Sequence, residues 1–258
     1  MSMLNFYTPT IIDEAFIFTM GASVKKNDNP IGFFGTGLKY AIAVTLRLNG
    51  SITIYTPNVR YRFGTKQEML RGEQIDMVYC KRTDGVNETT IRCPMTADYG
   101  KTWEPWMALR ELYSNTLDES GEIYEDLPIF PTEGDFTIIT VDCPEIYDAW
   151  LQRDAHFINP KRVPIYTSDH LDVYLGKTNA IYYRGIRVTK DSIDCGMTYN
   201  LKHLGVHGLT EDRTAHEYVI RSVLRTGFLK SPHNTFTEAF IDRLTNERSY
   251  EFTVDSSF

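Results

Sequence analysis

Residues 103–121 read WEPWMALRELYSNTLDESG. Pro105 suits a first helical turn, where its missing N–H costs nothing. Gly121 can supply the left-handed residue that ends a helix. Between them Met107, Leu109, Leu112, Tyr113 and Leu117 recur at helical spacing, so the stretch is predicted to be an amphipathic helix packed on a core. Glu111, Asn115 and Asp118 stand at i, i+4 and i+7 and project from one side of it.

Acidic side chains are rarely buried without a partner. On the residues alone, two readings of this face stand. It is a solvated helix surface, with Asn115 bonded locally. Or it is a row of hard oxygen ligands, suited to Mg²⁺ and its water shell or to a base held over a water molecule.

A second unusual stretch lies upstream. In IGFFGTGLKYAIAVTLRLNG, residues 31–50, Gly32, Gly35 and Gly37 fall close together, and Leu38 to Leu46 can run as a helix. Glycines before a helix leave backbone N–H groups facing an anion, and the helix dipole adds to the attraction. Lys39 follows within the first turn, an arrangement that suits a phosphate as well as a plain glycine-rich turn. The spacing is neither that of a P-loop nor that of a dinucleotide fingerprint.

Outward from these two stretches, residues 10–20 read as a short helix. Residues 51–94 alternate apolar and polar positions, with turns at Asn49-Gly50 and Asp84-Gly85, as in an antiparallel meander. After the central helix, GEIYEDLPIF holds a short strand and DFTIITVD, residues 135–142, is the clearest strand of the chain. PEIYDAWLQRDAHF reads as a helix, and VPIYTS, LDVYLG and AIYYRGIRV as strands. EDRTAHEYVIRSVLRT and NTFTEAFIDRLTN follow with helical periodicity. The predicted class is α+β: a mixed, mostly antiparallel sheet with helices on one face. A single domain over 1–258 is expected, with the helical region from about 200 as an extension.

The chain has 258 residues and a formal net charge of −7. That charge argues against a large nucleic-acid surface while leaving room for a local basic patch. Cys80, Cys93, Cys143 and Cys195 show no metal-ribbon spacing; Cys80 and Cys93 could face each other across a hairpin, but four free thiols in a reducing compartment is the better reading. The N-terminus lacks a basic start and an apolar run, so no signal peptide and a cytoplasmic location are expected. His203, His207 and His216 do not form the H-E-x2-H pattern and are read as loop or packing histidines. Ser23 and Ser120 have no nucleophile context. Trp103 and Trp106 are read as core, and Lys25-Lys26 as a solvated loop or part of a lid.

Together the two polar stretches resemble the GHKL ATPase superfamily, which includes the ATP domains of DNA gyrase, MutL, histidine kinases and heat-shock chaperones. Glu111, Asn115 and Asp118 match its N-box, E-x3-N-x2-D. IGFFGTGLKYA, with Gly32, Gly35, Gly37 and Lys39, resembles its G2 box. The boxes stand in inverted order, as in a circular permutation, which nearby termini would tolerate. The glycines of the family's D-x-G-x-G motif are missing. Asp142, 31 residues after Glu111, matches it by position, and Asp194 in IDCGM is a weaker candidate.

The resemblance implies a Bergerat-like two-layer sandwich binding ATP and Mg²⁺. Asn115 would hold the metal and Glu111 would orient and deprotonate the attacking water. Gly32, Gly35, Gly37 and Lys39 would cradle the phosphates, Asp142 would accept from the adenine amino group, and Asp118 would support the site. The expected function is a Mg²⁺-dependent ATPase driving a lid movement, with a protein partner or a homodimer as its assembly and neither nucleic acid nor membrane as partner. The alternative is a non-catalytic interaction or inhibitory protein with a degenerate nucleotide pocket, of the stand-alone kind that a virus or mobile element carries.

Overall fold

The computed structural model describes residues 3–21, 36–126, 128–159, 161–205, 208–210, 212–230 and 250–251. Packing divides the chain into two compact units, Met1–Leu151 and Gln152–Phe258. The division falls at 151/152, whereas the sequence reading placed one domain over the whole chain with an extension after about 200.

The N-terminal unit runs β1 (Met3–Thr8), α1 (Glu14–Phe18), α2 (Gly37–Arg47), β2 (Ser51–Tyr55), β3 (Val59–Leu70), β4 (Glu73–Asp84), β5 (Asn87–Thr96), α3 (Pro105–Asp118), β6 (Glu122–Glu125), β7 (Thr137–Asp142) and α4 (Pro144–Leu151). Its seven strands form one antiparallel sheet in the order β5-β4-β3-β2-β7-β1-β6. The meander predicted over 51–94 is β2 to β5, and Gly85 makes its last turn at φ 56°.

Strand β1 was not foreseen, yet it sits between β7 and β6. Its polar Asn5 breaks the apolar run, but that side chain is fully buried and satisfied. Its amide donates to the Asp126 carbonyl at 2.8 Å, and its oxygen accepts from Thr140 Oγ1 at 2.8 Å. A buried amide bonded at both ends costs little.

Alternation gives the sheet one apolar face: Leu4, Phe6, Ile52, Ile54, Tyr61 and Phe63 are buried there. Helices α2 and α3 pack on that face and on each other, with α4 beside α3. This is the α+β, helices-on-one-face arrangement expected for the class.

Helix α3 begins at Pro105 as predicted and ends at Asp118. Its end differs from the reading of Gly121 as the left-handed residue: Ser120 takes the positive φ, 56°. Gly121 is instead required by proximity, since a Cβ there would lie 1.9 Å from the Tyr7 carbonyl oxygen. The end of α3 is thus seated directly on β1.

The C-terminal unit contains a short 3₁₀ turn (Arg153–Ala155), then β8 (Tyr166–Thr167), β9 (Leu171–Tyr174), β10 (Ile181–Tyr183), β11 (Ile186–Arg187), β12 (Thr198–Leu201) and α5 (Glu217–Leu229). Its sheet has the order β11-β10-β12-β9-β8, and β10 and β12 run parallel. Helix α5 covers β9 and β12, with Ile220 and Leu224 joining Leu171, Val173 and Tyr199 in one core. A Cβ at Gly227 would meet Leu171 Cδ2 at 2.2 Å, so the glycine sets how closely α5 approaches. Strand β12 was missed by the sequence reading. The helix expected over 234–246 lies outside the described residues.

All four cysteines are free and buried. Cys80 pairs in register with Ile91 rather than with Cys93. Among the described residues, no helix is long and apolar enough to cross a membrane.

Candidate functional site

Helix α2 is an interior helix. Gly37 to Thr45 are all buried, including Lys39 at 2% exposure. The Lys39 ammonium donates to the carbonyl of Phe16, near the end of α1, and so ties the two helices together. Burial lowers its pKa from 10.5 to about 8. Thr36 caps α2 through its backbone, accepting from Lys39 N at 3.0 Å and Tyr40 N at 3.1 Å.

The segment leading into α3 is fastened along α2. The Tyr40 ring is stacked between Tyr99 and Trp103, each centroid 4.2 Å away. Gly100, at φ 67°, passes so near that a Cβ would lie 2.4 Å from Tyr40 Cδ1. From the other end of α2, the Arg47 guanidinium donates to the carbonyls of Ala97, Tyr99, Gly100 and Trp103 at 3.1 to 3.4 Å. These contacts fix where α3 starts.

On α3, Arg110 and Glu111 are 2% and 0% exposed. Arg110 Nε stands 3.5 Å from Glu111 Oε1. The guanidinium also lies over the rings of Trp103 and Trp106, 5.5 and 5.2 Å from their centroids. Charge held this deep is stable only when paired, and cation–π contact adds to the pairing. Ser114 and Thr116 turn their hydroxyls back onto the carbonyls of Arg110 and Leu112 at 2.6 and 2.8 Å. Asn115 and Asp118 are half-buried, one and two turns on from Glu111.

The structure therefore places five of the eight predicted residues on two neighbouring helices. Glu111, Asn115 and Asp118 lie on α3, and Gly37 and Lys39 on the first turn of the neighbouring α2. Gly32 and Gly35, like Ser23, Lys25 and Lys26, lie outside the described residues. Asp142 is placed apart. It is exposed at the end of β7, in register with Met3 and Ser51. By alternation these residues share the sheet face opposite Leu4, Ile52 and Val141, and hence opposite α2 and α3. Asp194 belongs to the C-terminal unit, where its carbonyl accepts from Tyr250 N at 2.8 Å.

Sequence reasoning passed over Arg110, Arg47 and Tyr40. The signal for Arg110 was present, a cation beside an anion inside the apolar run MALRELY. For metals, no group of three or more His, Cys, Asp or Glu side chains with ligand geometry occurs among the described residues. Comparison of the chain with protein-family models, with curated proteins and with solved structures found no match.

Proposed function

We propose that the N-terminal unit is a Mg²⁺-dependent ATP-binding module, an ATPase of GHKL type with its sequence in permuted order. The observation that carries this reading is Glu111, wholly buried on the helix of the N-box-like motif. That helix packs beside α2, whose first turn continues the glycine-rich box. The N-box-like residues Glu111, Asn115 and Asp118 and the end of the glycine-rich box, Gly37 and Lys39, thus stand on adjacent helices over one face of an antiparallel sheet.

The donor set fits the metal. Mg²⁺ takes one or two protein oxygens and fills its remaining positions with water and phosphate. Asn115 Oδ1 and the Asp118 carboxylate, half-buried on one face, would supply those oxygens. The metal would neutralise charge on the phosphates. The α2 N-terminus would orient them through its dipole, and Glu111 would position the attacking water and take its proton, steps in which placement and charge dominate. Asp142 has no part in this assignment, because its strand position faces it away from the two helices.

A second reading has its own support. Lys39 already holds the Phe16 carbonyl and Glu111 faces Arg110, so both groups are engaged inside the fold. That suits an interaction or inhibitory protein whose pocket has lost its ligand. Phosphate release from ATP separates the two. Turnover that needs Mg²⁺ and disappears in Glu111→Gln supports the enzyme; absent turnover by the folded wild type, with no nucleotide bound, supports the second reading.

A further inference from the structure

The sheet of the N-terminal unit has a second face, away from α2 and α3. Tyr61 and Phe63 of β3 point into the core at 4% and 5% exposure, so Arg60, Arg62 and Lys66 point out. Register adds Lys81 opposite Arg62 and Tyr79 opposite Gly64. It also adds Arg92 opposite Tyr79, and Tyr55 opposite Arg60. All five cations are exposed. They stand on three adjacent strands of a chain whose net charge is −7.

Folding does not account for this clustering, since like charges directly opposite each other, as Arg62 and Lys81 are, destabilise a sheet. Two acids offset part of it: Glu88 meets Lys81 at 2.7 Å and Glu68 meets Arg92 at 3.0 Å. Among the described residues, Arg60, Arg62 and Lys66 make no ion pair; Lys66 lies over the Tyr79 ring, 4.7 Å from its centroid. Beside Arg60, Tyr55 meets Phe130 edge-on at 5.0 Å, and Phe130 is 47% exposed.

We propose that this face binds single-stranded nucleic acid, with phosphates along Arg60, Arg62 and Lys66 and bases against Tyr55 and Phe130. Residues two apart on a strand are roughly 6.6 Å apart, so β3 presents Arg60 and Arg62 at about that spacing and Lys66 about twice as far on, beyond Gly64. A pleated face without a projecting helix does not enter a duplex groove, whereas open rings beside cations take unstacked bases. An acidic protein surface would use the cations and leave the rings idle. The proposal is independent of the ATP site and departs from the expectation, drawn from net charge, of no nucleic-acid partner.

The test is fluorescence anisotropy of a labelled oligothymidylate of about twenty nucleotides with the full chain. Neutralising three to four phosphates on a single strand predicts binding weakened roughly 20- to 50-fold between 50 and 200 mM salt. Arg60→Glu/Arg62→Glu, on exposed positions, should lose at least tenfold in affinity at 50 mM and lower the salt slope by about 1.4. Lys161→Glu/Lys177→Glu makes the same charge change on exposed residues elsewhere and should stay within twofold of wild type. The proposal is overturned by no binding of wild type at 50 mM salt, by equal losses in the two double variants, or by a duplex bound as tightly as the single strand. Capture by anionic phospholipid vesicles without oligonucleotide binding also overturns it.

Discussion

Tyr40 of α2 and Trp103, just ahead of α3, stack face to face, with centroids 4.2 Å apart and planes 13° apart. The pair joins the helix that carries Gly37 and Lys39 to the one that carries Glu111, Asn115 and Asp118. Trp103 is 6% exposed, so Trp103→Ala should cost about 3–5 kcal/mol. Thermal unfolding of the N-terminal unit should fall by roughly 10 °C. Tyr40→Phe, which keeps the ring, should cost much less; equal losses for the two variants would show that the stack does not set the helix pair.

Glu111 has two roles that substitutions can separate. Removing one partner of a buried ion pair costs about 3–5 kcal/mol, so Glu111→Ala should destabilise the unit as well as stop ATP hydrolysis. Glu111→Gln also leaves the Arg110 charge unpaired, but it keeps the side-chain volume and a carbonyl acceptor, so it should lose less stability than Glu111→Ala while losing turnover by at least a hundredfold in the folded protein, the scale of a general base. Phosphate release together with melting curves measures both; a Gln variant with wild-type turnover rules out Glu111 as the base.

Lys39 gives a pH signature. Burial lowers its pKa from 10.5 to about 8. Between those values the unfolded chain holds more protons on this residue than the folded chain, so stability from this group rises with pH across the window. Below about pH 8 the burial cost is present in full. Compared with Lys39→Met, the wild type should gain relative stability as pH rises from about 8 towards 10.5, with a flat difference below. Denaturant titrations of both proteins across that range measure it; a difference independent of pH means the ammonium is not desolvated.

In the C-terminal unit, the fully buried Glu251 accepts from Gly196 N and from Tyr199 Oη, both at 2.8 Å. Hydrogen bonds to a charged group contribute about 1.5–3 kcal/mol each. Glu251→Ala should therefore speed amide exchange along β12 by one to several orders of magnitude. Unchanged protection at Thr198–Leu201 would mean that the C-terminal contact adds nothing to this sheet.

Periodic elements were legible in the sequence: α2, α3 and the β2–β5 meander appear close to where apolar spacing and turn residues put them. Strand β1 was not, because Asn5 breaks its short apolar run and is satisfied only by Asp126 and Thr140, over a hundred residues away. Gly121 was recognised as special for a reason that differs from the true one: its constraint is the Tyr7 carbonyl, a tertiary neighbour. The same holds at the candidate site. Spacing alone put Glu111, Asn115 and Asp118 on one face, while the Arg110 guanidinium beside Glu111 and the Phe16 carbonyl at Lys39 belong to packing. Asp142 matched by distance along the chain, but the parity of β7 decides which face it occupies. Net charge likewise concealed the basic face, since the alternation of β3 segregates Arg60, Arg62 and Lys66 to one side.

The most direct test of the ATP-binding reading is a thermal shift of the full chain with ATP and Mg²⁺, run beside ATP with chelator, GTP with Mg²⁺, and the Asn115→Ala variant. A ligand at about a hundred times its Kd adds roughly 2.7 kcal/mol, so a shift of several degrees should appear with ATP and Mg²⁺ alone and vanish in Asn115→Ala. No shift with any nucleotide, or one that persists unchanged with chelator and in the variant, would contradict a Mg²⁺-dependent nucleotide site on α3.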